Sequence, residues 1–91
     1  MFLFIPTRLS MQQMPLLAIE VLSPEQGIEE ILAKFDAYFA LGVKSCWLVE
    51  PAVDVLHVYP QPDQHSTFDM NDIDIVDEIM DIRLPIQKIF W

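Results

Sequence analysis

Leu16-Leu17-Ala18-Ile19-Glu20-Val21-Leu22-Ser23-Pro24-Glu25-Gln26 is the stretch on which the fold turns. Residues 16–22 are an unbroken apolar run with one carboxylate inside it, the pattern of a strand covered on both faces. Periodicity alone does not separate strand from helix here, but a helix-start signal follows at once. Ser23 suits an N-cap, Pro24 the first helical position, and Gln26 completes a capping box with Ser23. Downstream, Ile28, Ile31, Leu32, Phe35, Tyr38 and Phe39 recur at the spacing of one helical face. Gly42 then stands in the usual C-terminal glycine position. The reading predicts one main amphipathic helix over 24–41.

Working outward, residues 46–50 read as a second apolar strand closed by Pro51. Residues 53–59 read as a third, rich in β-branched and aromatic side chains. The short Glu50-Pro51-Ala52 link suggests a hairpin between them. Pro60, Pro62 and Asp63 are expected to form a turn. Residues 68–83 are expected to hold a short strand, a loop and another strand, and residues 84–91 a closing helical turn that packs Ile89 and Phe90. A strand, a helix and a returning strand make a crossover unit, so the fold class is α/β with a mixed sheet.

The chain has 91 residues, room for one small domain. It is 53% hydrophobic, which excludes a disordered chain, and its two glycines exclude collagen-like or linker composition. Cys46 is the single cysteine, so neither an internal disulfide framework nor a multi-cysteine zinc site is available. No apolar run approaches the length of a membrane span. The Met1-Phe2-Leu3-Phe4-Ile5 opening is too short for a signal-peptide core, and no small-residue cleavage site follows it. A cytoplasmic protein is the expectation. Residues 1–14 are expected to be poorly ordered, and residues 15–91 to form the domain. The net charge of −9 grows toward the C-terminus and opposes broad electrostatic binding to nucleic acid.

Few side chains carry chemistry. Glu20 has two readings. Its carboxylate turns to an open edge or pairs with a lysine, or it is a hard-metal oxygen ligand. Lys34 lies beside the apolar stripe. It either pairs with Glu30 on the same helix or reaches over the strand end toward a phosphate or an attacking water. The acids from Asp69 to Asp81 lack calcium-loop spacing and read as a solvated face. His57 and His65 lack paired metal-ligand spacing, Cys46 reads as a small core residue, and capping accounts for Ser23. No P-loop or dinucleotide fingerprint is present.

Ile19-Glu20-Val21-Leu22-Ser23-Pro24, Lys34, Tyr38, Gly42-Val43 and Trp47-Leu48-Val49-Glu50-Pro51 together resemble the Uma2 family, also called DUF820. The pattern usual there is Glu-Val-Leu-Ser-Pro, a helix with Lys and Tyr, Gly-Val, Tyr-Trp and Val-Asp-Pro, and the spacing from Ser-Pro to Trp fits without a gap. The resemblance covers about residues 15–59, and Leu84-Pro85 to Phe90 is similar to the family's C-terminal end.

The resemblance implies a restriction-endonuclease-like mixed sheet of the PD-(D/E)XK type, truncated on its N-terminal side. It implies Glu20 as a metal ligand and catalytic residue. Leu22 stands where the usual E-x-K lysine would, so Lys34 is implied as a migrated catalytic lysine. The implied cofactor is Mg²⁺ or Mn²⁺, the implied substrate DNA, and the implied reaction phosphodiester hydrolysis. Cys46 replaces the usual Tyr and Glu50 the usual Asp. Glu20 is the first acid in the chain, so the family's upstream Asp has no counterpart here. That departure sets a second reading beside the nuclease: an inactive half-domain that acts by protein–protein contact. Either way, the strand at 16–22 is expected to offer an unpaired edge, filled by a homodimer partner or by a chain that supplies the missing strands.

Overall fold

The structure, a computed structural model, describes the backbone of residues 2–5 and residues 16–90 in full. Strands β1 (Phe2–Ile5), β2 (Leu17–Val21), β3 (Ser45–Glu50), β4 (Val55–Gln61) and β5 (Gln64–Phe68) form one five-stranded sheet in that order. Helix α1 (Ile28–Ala40) connects β2 to β3, which run parallel with Ala18 opposite Cys46 and Glu20 opposite Leu48. All other neighbours in the sheet are antiparallel. A separate hairpin of β6 (Asp74–Asp77) and β7 (Ile82–Pro85) precedes the short helix α2 (Gln87–Phe90). The α/β class with a mixed sheet and one main helix is thus observed.

The strands alternate, and the sheet therefore buries both faces. Ala18, Cys46, Leu48 and Tyr59 point to the α1 side, where they pack with Ile31, Phe35 and Val43. Leu17, Trp47, Val49, Leu56 and Val58 point to the other side and pack under Ile75 of β6 and Ile86. Glu20 shares parity with Ala18, so its side chain enters the helix-facing layer.

Several expectations need correction. The helix begins at Ile28, with Gly27 as an N-cap that makes no side-chain bond. The Ser23–Gln26 pair does form, through the Ser23 backbone N–H and Oγ to Gln26 Oε1, both at 3.2 Å. It closes a turn that leads out of β2, and the helix starts only where the apolar stripe starts, because packing rather than the cap supplies its stability. Gly42 ends the helix at φ +106°, as expected of a residue in the left-handed region.

β4 runs through Pro60 to Gln61, past a register irregularity after Val58 where a proline is tolerated. β5 stands where a turn and loop were expected. Its residues are almost all exposed, so no hydrophobic alternation announces it. At the C-terminus Ile86 is buried and Phe90 packs on the core, while Ile89 is exposed. The expected open edge of β2 is occupied by β1, which pairs with it from Phe2 opposite Glu20 to Ile5 opposite Leu17. Of the segment expected to be poorly ordered, residues 1 and 6–14 lie outside the described residues.

Candidate functional site

Glu20 is 2% exposed, yet it is a carboxylate in the middle of an apolar strand. Its compensation comes from α1. Lys34 Nζ donates to Glu20 Oε1 at 2.9 Å, and the Tyr38 hydroxyl approaches the same oxygen at 3.5 Å. Lys34 and Tyr38 are one helical turn apart, so both project from one face of α1 toward the same point on β2. Of the two readings of Lys34, the pair with Glu30 is not formed among the described residues. The lysine follows the buried charge, where an ion pair is stronger than at the surface.

The carboxylate sets the electrostatics around it. Burial first, and then the negative charge of Glu20, push the Tyr38 phenol up to about 12. The same two causes push the Cys46 thiol up to about 12, so Cys46 is a protonated core residue and not a nucleophile. Glu20 also lies at the C-terminal end of the parallel pair β2 and β3, the end at which open α/β sheets present their ligand sites.

A second polar line runs along the same face toward β5. His57 Nε2 lies 2.5 Å from Glu50 Oε2 and His57 Nδ1 lies 2.9 Å from Thr67 Oγ1. An ionised carboxylate only accepts, so Nε2 is the donor to Glu50. His65 stacks on Tyr59 with ring centroids 4.7 Å apart.

The opposite face buries Asp77, an acid of the run expected to form a solvated face. Asp77 is 1% exposed. Its Oδ2 accepts from Ser45 Oγ at 2.5 Å and from Trp47 Nε1 at 2.7 Å, and its Oδ1 accepts from the Met80 backbone N–H at 3.0 Å. The signal was available: Asp77 lies two residues after Ile75, so strand alternation puts both on the buried side. In the same acidic run, Asp74 pairs with Arg83 at 3.2 Å, and Asp69 and Asp72 bond backbone N–H groups of their own turn.

A hard divalent cation takes about six oxygen ligands, usually from more than one carboxylate. Among the described residues no three His, Cys, Asp or Glu side chains converge on a point. Glu20 is the single acid at the site among the described residues, and one of its oxygens already serves Lys34 and Tyr38. The described residues therefore do not fit a complete Mg²⁺ or Mn²⁺ site.

The chain is thus an α/β domain with a mixed sheet and one main crossing helix, which sets a lysine on a buried strand carboxylate. The crystal structure of a putative nuclease belonging to DUF820 from Anabaena variabilis has the same fold, with a TM-score of 0.70 and 26% identity over 84% of this chain. The chain spans 44% of that protein. Residues 4–87 match the Uma2 family, described as "putative restriction endonuclease", and the chain belongs to that family. No curated protein matches it.

Proposed function

We propose that this chain is part of a DNA-directed nuclease whose reactive centre is built on Glu20 and Lys34. The observation that carries the reading is the buried Glu20 carboxylate held at 2.9 Å by a helix-borne lysine that still reaches solvent. The Lys34 side chain is 44% exposed, so its ammonium can meet a phosphate without leaving the site. In phosphodiester hydrolysis it would offset the charge that develops on the phosphate oxygens. Glu20 keeps the ammonium in place, and Tyr38 steadies the carboxylate. The family implies Mg²⁺ or Mn²⁺, for which Glu20 is the one described donor. The other donors would come from outside the described residues. A DNA-directed role also favours the cytoplasm, and no described helix is long and apolar enough to cross a membrane.

The test is nicking of supercoiled plasmid with Mg²⁺ or Mn²⁺ by the chain and by its Glu20→Gln and Lys34→Met variants. Metal-dependent nicking lost in both variants supports the reading. Nicking that survives Glu20→Gln overturns it. The incomplete donor set favours a second reading, a non-catalytic domain that acts through contact with another chain or a second copy. No nicking by the parent chain would support that reading.

A further inference from the structure

A cleft of about 540 Å³ opens between the β2–α1 turn and the β3–β4 connection, lined among others by Leu22, Pro24, Gln26, Glu50, Ala52 and Val53. That volume lies within the range of small-ligand pockets, as does the balance of apolar walls with a few polar groups. The cleft lies off the C-terminal ends of β2 and β3, where open α/β sheets bind ligands. It also adjoins the candidate site. Leu22 follows Glu20 by two residues, about 7 Å along extended chain, and packs on the same helix-facing layer.

Two polar residues of the lining have hydrogen-bonding capacity to spare. Gln26 uses its carbonyl oxygen for Ser23, and its amide nitrogen has no partner among the described residues. Glu50 uses one carboxylate oxygen for His57, and the other has no partner among the described residues. A donor and an acceptor above apolar walls complement the edge of a nucleobase, which presents donors and acceptors side by side.

We propose that this cleft receives an unpaired nucleobase of the strand whose phosphate lies at Glu20 and Lys34. The inference rests on the nuclease reading for the path of the strand, and it names single-stranded or locally opened DNA as the substrate class. A base still paired in a duplex cannot offer its pairing edge to Gln26 and Glu50.

The test is a ¹⁵N–¹H correlation spectrum of the full chain titrated with thymidine and deoxycytidine, which carry no phosphate and need no metal. Saturable shifts concentrated at Leu22, Gln26, Ala52 and Val53 are expected. Ala52→Trp fills the cleft from an exposed position that the fold does not use, and should weaken the nucleosides about tenfold or more while distant peaks stay in place. Gln26→Ala should narrow the difference between the two nucleosides. The proposal is overturned by unmoved cleft amides, by shifts that survive Ala52→Trp, or by benzene producing the same shifts as strongly as the nucleosides. Failure of plasmid nicking leaves these titrations intact. Conversely, duplex nicking unchanged by Ala52→Trp would overturn the cleft and leave the nuclease reading standing.

Discussion

Lys34 and Glu20, fourteen residues apart in sequence, meet at 2.9 Å with one side chain half in water and the other buried. Such a pair falls between two regimes. Exposed pairs contribute about 0.2–1 kcal/mol, and breaking a buried pair costs about 3–5 kcal/mol. Lys34→Met leaves the Glu20 carboxylate buried without its cation and should cost about 1–3 kcal/mol in urea unfolding. Glu20→Gln in the Lys34→Met background should restore part of that loss, since it removes the stranded charge. A Lys34→Met variant as stable as the parent would show that the pair contributes nothing to the fold.

Asp77 joins the β6–β7 hairpin to the underside of β3, because its two oxygens take hydrogen bonds from Ser45, Trp47 and Met80. Asp77→Ala strands the Ser45 hydroxyl and the Trp47 indole N–H in the core and should cost about 2–4 kcal/mol. Asp77→Asn keeps an acceptor of the same shape and should cost less. Trp47 reports the change directly, and its fluorescence should shift to the red in Asp77→Ala. An alanine variant with parental stability and emission would contradict the clamp.

Alkaline pH should weaken the fold before it touches ordinary tyrosines. Tyr38 is pushed from 10.0 to about 12 and Cys46 from 9.0 to about 12, in both cases first by burial and then by the charge of Glu20. The folded state therefore keeps protons that the unfolded chain has already released. Stability is full below about pH 9 and falls as pH rises toward 12, since the unfolded state binds fewer protons in that window. Thermal unfolding followed from pH 8 to 11.5 should show this decline, and Tyr38→Phe with Cys46→Ala should flatten it. An unchanged slope in the double variant would remove these groups as its cause.

Cys46 is fully buried and its thiol is held protonated, so a thiol reagent should not reach it in the native protein. Labelling with Ellman's reagent at pH 8 should proceed at the rate of unfolding and become rapid in denaturant. Fast labelling of the folded chain would place the thiol in an accessible pocket and contradict the packing of the helix-facing layer.

Much of this molecule was legible in order along the chain. The apolar run at 16–22, the stripe from Ile28 to Phe39, Gly42 and the run ending at Pro51 specify a strand, a helix, its stop and a returning strand. Each rests on local periodicity or on a residue with special backbone freedom. Glu20 was conspicuous for the same reason, as a charge where the pattern requires an apolar residue. β5 left no such trace, because a polar edge strand buries little and is held by its neighbour's backbone.

The sequence by itself determined the crossover unit, the two-sided burial of β2 and β3, and the presence of one charge that needed a partner. Only the tertiary structure decided which partner. Helical spacing offered Lys34 to Glu30, but the fold turns Lys34 onto Glu20, because a buried carboxylate gains more from a cation than an exposed one does. It likewise converted Asp77 from one acid among six into the clamp of the hairpin, by bringing Ser45 and Trp47 to it across about thirty residues of chain. Those contacts depend on which faces of distant elements meet. Local pattern sets the faces, and only packing sets the meeting.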